Sequence, residues 1–151
     1  MHLQHNEAVA VHTWIEQVVA DCARAEREVS LVHSEGEGTV MLHLGGMRRA
    51  LDNLIGNAAC YGSKAEVSMD LTDKFLRLRV EDDGPGIPEN RRAEAQRPFT
   101  RLDPSRNQDK GGSVGLGLAI ATDIARAHGG MLRLGKSERL GGLRADIVIA
   151  R

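Results

Sequence analysis

Apolar side chains at Trp14, Ile15, Val18, Val19 and Cys22 recur at helical spacing, so one helix is predicted from Thr13 to about Glu28. Residues 7–11 (EAVAV) alternate weakly and read as a short strand before it. Val29–Val32 and Thr39–Leu44 read as two more strands, and the turn-forming SEGEG between them predicts a hairpin. Gly45-Gly46 then opens a second helix, Met47 to Tyr61, with Leu51, Leu54, Ile55 and Ala58 as its buried stripe and Gly62-Ser63 as its stop. Strands follow at 65–71 and 75–82, parted by Thr72-Asp73-Lys74. Residues 83–113 lose all periodicity and predict a long loop with one helical turn near 89–96. Loops of that length in a compact domain are usually functional lids or disordered. A helix from about Gly115 to His128 stops at Gly129-Gly130. The strands MLRLG and LRADIVIA, joined by KSERLGG, end the chain.

The order is strand, helix, two strands, helix, two strands, loop, helix, two strands. Paired strands between helices predict an α+β fold: an antiparallel-rich sheet with helices on one face, in one domain spanning 1–151. Strict βαβ alternation, the mark of a doubly wound parallel sheet, is missing.

Composition narrows the function. A formal net charge of −1 and 3% aromatic residues give neither the basic excess nor the stacking platforms of a nucleic-acid binder. Cys22 and Cys60 stand far apart, which fits a reducing cytoplasm. No apolar run approaches the roughly 18 residues of a membrane span.

Three stretches could carry chemistry. In LDNLIGNAACYG, Asn53 and Asn57 share one helical face, in a row that Arg49 and Tyr61 extend. Such amides either offer oxygens to Mg²⁺ or are simply solvated. In VEDDGPGIP, Asp82 ends a strand and Gly84 and Gly86 let backbone approach a ligand. The carboxylate could accept from an exocyclic amine such as the adenine 6-amino group, or the segment could be only a turn. In GGSVGLGLAIATDIARAHGG, glycines 111, 112, 115 and 117 lead into a helix whose N-terminal amides would attract phosphate, unless they form a plain hinge.

Gly130–Ser137 matches the P-loop pattern GxxxxGK[ST] letter for letter. A helix precedes it and a turn follows it, the reverse of what that mechanism requires. GVGLG likewise lacks the strand before it that a dinucleotide fingerprint needs. The histidines fall in no HExxH or H-x₃-H setting, and no G-x-S-x-G elbow occurs.

In order, RRALDNLIGNAACYG, VEDDGPGIPENRR, RPFTRLDPSR, GLGLAIATDIARAHGG and LGKSERLGGLRA resemble the N, G1, F and G2 boxes and C-terminal region of sensor histidine kinases. The resemblance spans roughly 7–150 and is nearest the EnvZ osmosensor subfamily. It implies the Bergerat fold, a two-layer α/β sandwich with a mixed, mostly antiparallel sheet, about three helices on one face and an ATP lid near 87–113. It implies ATP and Mg²⁺ as cofactors. Asn57 would hold the metal, with Asn53 beside it, and Ala58, Ala59, Cys60 and Tyr61 would line the nucleotide. Asp82 would bind the adenine amine, and Gly84, Gly86 and Ile87 would shape the base pocket. Phe99 would anchor the lid, Arg101 would approach the γ-phosphate with Leu102 beside it, and Val114, Gly115, Leu116, Gly117 and Leu118 would meet the phosphates. Asn57 and Arg101 would be the catalytic residues.

The resemblance further implies a phospho-accepting dimerisation domain and a response regulator as partners, a homodimeric whole kinase, a monomeric isolated domain, and a place on the cytoplasmic side of a bacterial inner membrane. This sequence departs from the pattern at Cys60, where relatives often carry Arg or Lys, and at Ser113, which replaces a glycine. No histidine is followed by the acidic residue and proline of the acceptor box, so the acceptor domain is expected to be absent. Two other readings stand beside the kinase: a degenerate nucleotide-binding regulatory module, and an ATPase or anti-sigma serine kinase of the same superfamily.

Overall fold

The computed structural model describes residues 6–25, 28–96 and 114–151, with side chains in the last stretch described from 118 onward. The elements run β1 (Glu7–Ala10), α1 (Val11–Arg24), β2 (Val29–Glu35), β3 (Thr39–Leu42), α2 (Leu44–Tyr61), β4 (Ala65–Leu71), β5 (Phe75–Asp82), a 3₁₀ turn (Glu89–Arg91), the single-turn α3 (Arg92–Ala95), α4 (Val114–Ala127), β6 (Met131–Lys136) and β7 (Leu143–Ala150). Five strands form one sheet in the order β2-β4-β5-β7-β6, parallel at β2–β4 and antiparallel elsewhere. The expected mixed, mostly antiparallel sheet is therefore present.

Alternation fixes which face is buried. Val67, Met69, Leu76, Leu78, Val80, Ile147 and Ile149 are paired neighbours pointing to one side, and all are buried. The three long helices lie on that side, α1 against β2 and β4, α2 against β4 and β5, and α4 against β6 and β7, with α2 and α4 packed on each other. Leu51, Leu54 and Ile55 of α2 are buried in this layer, and each such side chain contributes about 1.5–3 kcal/mol. The opposite face carries ion pairs, including Arg79 donating through Nε and Nη2 to both oxygens of Asp146 (2.7 and 3.0 Å).

Two boundaries differ from expectation because of local hydrogen bonds and burial. The second helix starts at Leu44, not Met47, because the His43 ring accepts from the Gly46 amide at Nδ1 (2.9 Å) and caps it. The first runs from Val11 to Arg24, since fully buried Val11 extends its stripe N-terminally. His128 ties α4 back to the start of α2. Its Nε2 accepts from the His43 amide (3.0 Å), which leaves Nδ1–H to donate to the Ile124 carbonyl (2.8 Å).

The predicted hairpin of β2 with β3 does not form. β2 pairs with β4, while β3 pairs with β1 in a separate two-stranded sheet. The SEGEG segment is a crossing, not a tight turn. Gly36 (φ 100) lies so close to the Leu71 carbonyl that a side chain there would collide with it. Buried Val40 and Leu42 join Val9 in the small sheet.

Candidate functional site

The site is built where α2 ends and β5 stops. Asp82 follows Val80 on the helix-facing side of β5 and is only 4% exposed. Its Oδ1 accepts from the Gly84 amide (2.9 Å) and the Leu143 amide (3.1 Å). Among the described residues Oδ2 has no hydrogen-bond partner. Burial pushes its carboxyl above the usual range, while the two amides pull the other way.

The next residue fastens this loop to the short segment that follows α2. Asp83 accepts from the Ser63 hydroxyl, the Ser63 amide (2.7 Å) and the Lys64 amide (3.1 Å), and these bonds hold its carboxyl down to about 2. Behind them, a side chain on Gly84 would stand 2.6 Å from the Tyr61 carbonyl, so the loop and the helix end are in direct backbone contact. Asp83 is half-buried, and its contribution falls as acid protonates it. Its native value lies below the ordinary 3.8, so the stabilisation is complete above that value and disappears as pH drops towards 2. We expect Asp83→Asn to be less stable than the parent in urea at pH 7, with the gap closing as the pH approaches 2. A gap independent of pH would argue against this clamp.

Asn57 lies one turn before the clamped end of α2. It is 7% exposed, and its Oδ1 is buried with no hydrogen-bond partner among the described residues. The solvated reading therefore fails for Asn57. Asn53 is half-buried, and its Nδ2 is also buried without a partner. A buried amide oxygen with no protein donor is what a hard cation takes as a ligand. Ala58 is buried, Ala59 exposed, and Cys60 and Tyr61 half-buried along the same stretch. Arg49, one turn before Asn53, lines a cleft of about 530 Å³ with His43 and His128 at the N-terminal end of α2.

Gly86 takes φ 70, and Ile87 packs partly buried against the core. The Ile87 carbonyl accepts from Arg92 Nε (3.0 Å), which ties α3 to this loop. Val114, Gly115, Leu116 and Gly117 form the first turn of α4. Leu118 is buried, and its carbonyl accepts from the Thr122 hydroxyl (2.8 Å). Phe99, Arg101, Leu102 and Ser113 lie outside the described residues.

The sequence reading missed the β6–β7 turn, where Ser137 ends the false P-loop match. Ser137 is fully buried and donates to Glu81 Oε2 (2.8 Å), and the turn supplies the Leu143 amide to Asp82. KSERLGG was legible as a turn; where it docks was not. Ligand atoms of His33, Glu35 and Asp70 also cluster within 4.8 Å of one another. Asp70 is bonded there to Arg77 (2.5 Å) and His33 (3.0 Å), and a guanidinium on that carboxylate opposes a cation.

A one-faced helical layer covers a mixed sheet, and the Asp83 loop fastens the chain just after the asparagine-bearing helix beside the buried Asp82 carboxylate. Residues 43–150 match the family model of histidine kinase-, DNA gyrase B- and HSP90-like ATPases, and the chain belongs to that family. The sensor protein RstB of Escherichia coli K12 is 50% identical over 99 residues, covering 65% of this chain and 22% of that protein. The chain thus spans about a fifth of the length of the curated relatives it matches. Among solved structures, the ATP-binding domain of PrrB from Mycobacterium tuberculosis aligns with TM-score 0.76 at 27% identity, over 97% of each chain. The histidine kinase domain of the E. coli osmosensor EnvZ aligns with TM-score 0.72 at 35% identity, over 97% of this chain and 89% of that one. Among the described residues no helix is long and apolar enough to cross a membrane.

Proposed function

We propose that this chain is, as one unit, the ATP-binding catalytic domain of a two-component sensor histidine kinase, holding Mg-ATP for γ-phosphoryl transfer to a histidine on a separate domain. The observation that carries this reading is the clamp at Asp83. It binds the segment just after α2 to the loop after β5 and so keeps Asn57 and Asp82 on one edge of the domain.

Asp82 reads the base. With Oδ1 committed to two amides, Oδ2 accepts from the adenine 6-amino group. Gly84, Gly86 and Ile87 shape the base pocket, and Ala58, Ala59, Cys60 and Tyr61 form the helical wall. Asn57, with Asn53 beside it, offers the oxygen that would hold Mg²⁺, whose charge offsets that of the phosphates. The amides of Val114, Gly115, Leu116, Gly117 and Leu118 open α4 towards the phosphates. The resemblance assigns the lid anchor to Phe99, the γ-phosphate contact to Arg101 and a nucleotide contact to Leu102, all outside the described residues. These groups position and neutralise; activation of the acceptor histidine belongs to the other domain.

The partners are therefore a phosphoacceptor and dimerisation domain of the same kinase and, downstream, a response regulator. The whole kinase is a homodimer, and this domain works on the cytoplasmic side of the inner membrane. The names of the relatives, sensor protein and histidine kinase, support the assignment to a sensor histidine kinase.

Titration calorimetry with a non-hydrolysable ATP analogue is expected to give saturable, magnesium-dependent binding. Labelled ATP is expected to leave this chain unmodified and to yield phosphohistidine on a separately made acceptor fragment. Saturable binding without any transfer to that fragment would favour the regulatory-module reading. Absence of binding would sink both.

A further inference from the structure

The β6–β7 turn wraps the end of β5 by an unbroken set of hydrogen bonds. The Ser137 amide donates to the Gly142 carbonyl (2.8 Å), and the Gly141 amide donates to the Ser137 carbonyl (2.8 Å). The Ser137 hydroxyl accepts from the Leu140 amide (3.0 Å) and donates to Glu81 Oε2 (2.8 Å). The turn then gives its last two amides to Asp82: Gly142 to the backbone carbonyl (3.0 Å) and Leu143 to Oδ1 (3.1 Å). Ser137 is 0% and Glu81 5% exposed.

Strand geometry explains why both acidic residues are needed. Glu81 and Asp82 are consecutive on β5, so their side chains leave on opposite faces. The β5–β7 ladder ends at Glu81 and Arg144, one residue before Asp82 would meet Leu143. The Leu143 amide is therefore available for the Asp82 side chain. Beyond this point Leu143 is held by its pairing with Lys136 on β6 and by the neighbouring Gly142 amide on the Asp82 carbonyl, and the turn closed on buried Ser137 sets how that end of β7 meets Asp82.

We propose that Ser137, seated on Glu81, is a positioning residue for base recognition: it fixes the turn so that the Leu143 amide occupies Asp82 Oδ1 and Oδ2 is left to face the base. Ser137 touches no nucleotide itself. The inference rests on Asp82 reading the 6-amino group. The energy at stake is that group's share of ATP affinity, not affinity for the phosphates.

The test compares ATP with purine riboside triphosphate, which lacks the 6-amino group, each titrated with magnesium into the parent, Ser137→Ala, Glu81→Gln and Asp82→Asn. Ser137→Ala is expected to bind ATP about tenfold more weakly while its affinity for purine riboside triphosphate is unchanged, so the preference between the two collapses. Glu81→Gln keeps an oxygen for the Ser137 hydroxyl and is expected to retain that preference. Should Ser137→Ala fail to fold, Glu81→Leu removes the same bond and is expected to lose the same preference. Equal loss for both nucleotides, or an intact preference with the Glu81–Ser137 bond removed, would overturn the proposal. If Asp82→Asn also leaves the preference intact, the fault lies in reading Asp82 as the base reader; if only Asp82→Asn abolishes it, the fault lies in the positioning role.

Discussion

Asp82→Asn is expected to weaken ATP binding by about 10- to 150-fold, the value of a hydrogen bond to a charged group, and to relax selectivity against 6-oxo purines. The geometry dictates the direction of both effects. Two backbone amides converge on Oδ1, so the variant's carbonyl oxygen is retained there and its NH₂ group turns towards the base. An NH₂ facing the adenine amine sets donor against donor. Facing the oxygen of inosine triphosphate, it sets donor against acceptor, where the parent carboxylate had set acceptor against acceptor. ATP should therefore lose affinity while inosine triphosphate gains it. Calorimetry with both nucleotides, alongside thermal melting to confirm folding, reads the result. A folded variant with parental affinity for both would remove Asp82 from the base site.

How much of this was legible beforehand depended on range. The α2 stripe of Leu51, Leu54, Ile55 and Ala58 is a local periodicity, and all four residues are buried as their spacing predicts. β4 and β5 alternate cleanly, because one face meets helices and the other water, and their boundaries fall where the pattern puts them. The β2–β3 hairpin failed because pairing is not local. Glycines in SEGEG signal a change of direction but not the partner, and β2 finds β4 across the whole of α2. The site divides the same way. Asp82, Asn57 and their neighbours sit in motifs that can be read in a line. Leu143 reaches Asp82 across 61 residues and Ser137 reaches Glu81 across 56, and no local signal marks them. Asn57 illustrates the opposite error. Taken alone, its polarity favours solvent, and only the packing of α2 against α4 and the sheet shows it to be enclosed.

Asn57→Asp is expected to be the most damaging single change at the phosphate end. The exchange is isosteric, so shape and the buried oxygen survive; what changes is charge. Among the described residues Asn57 Oδ1 has no donor, and it lies buried in surroundings where an unpaired charge costs about 3–5 kcal/mol. A carboxylate there either takes up a proton or remains charged. Protonated, it becomes a donor and a poor ligand for a hard cation. Charged, it stands against the triphosphate whenever the metal is not between them. Both routes oppose the arrangement that a neutral amide allows. We expect ATP affinity in magnesium to fall about 100-fold or more, and phosphotransfer to a separate acceptor fragment to fall at least as far. Adenosine, which has no phosphates, should lose no affinity, because Asp82 and the base pocket are untouched. Titrating both ligands with and without magnesium separates the outcomes. Equal losses for adenosine and ATP would mean that the substitution deforms α2, and an unchanged ATP affinity would take the metal away from position 57.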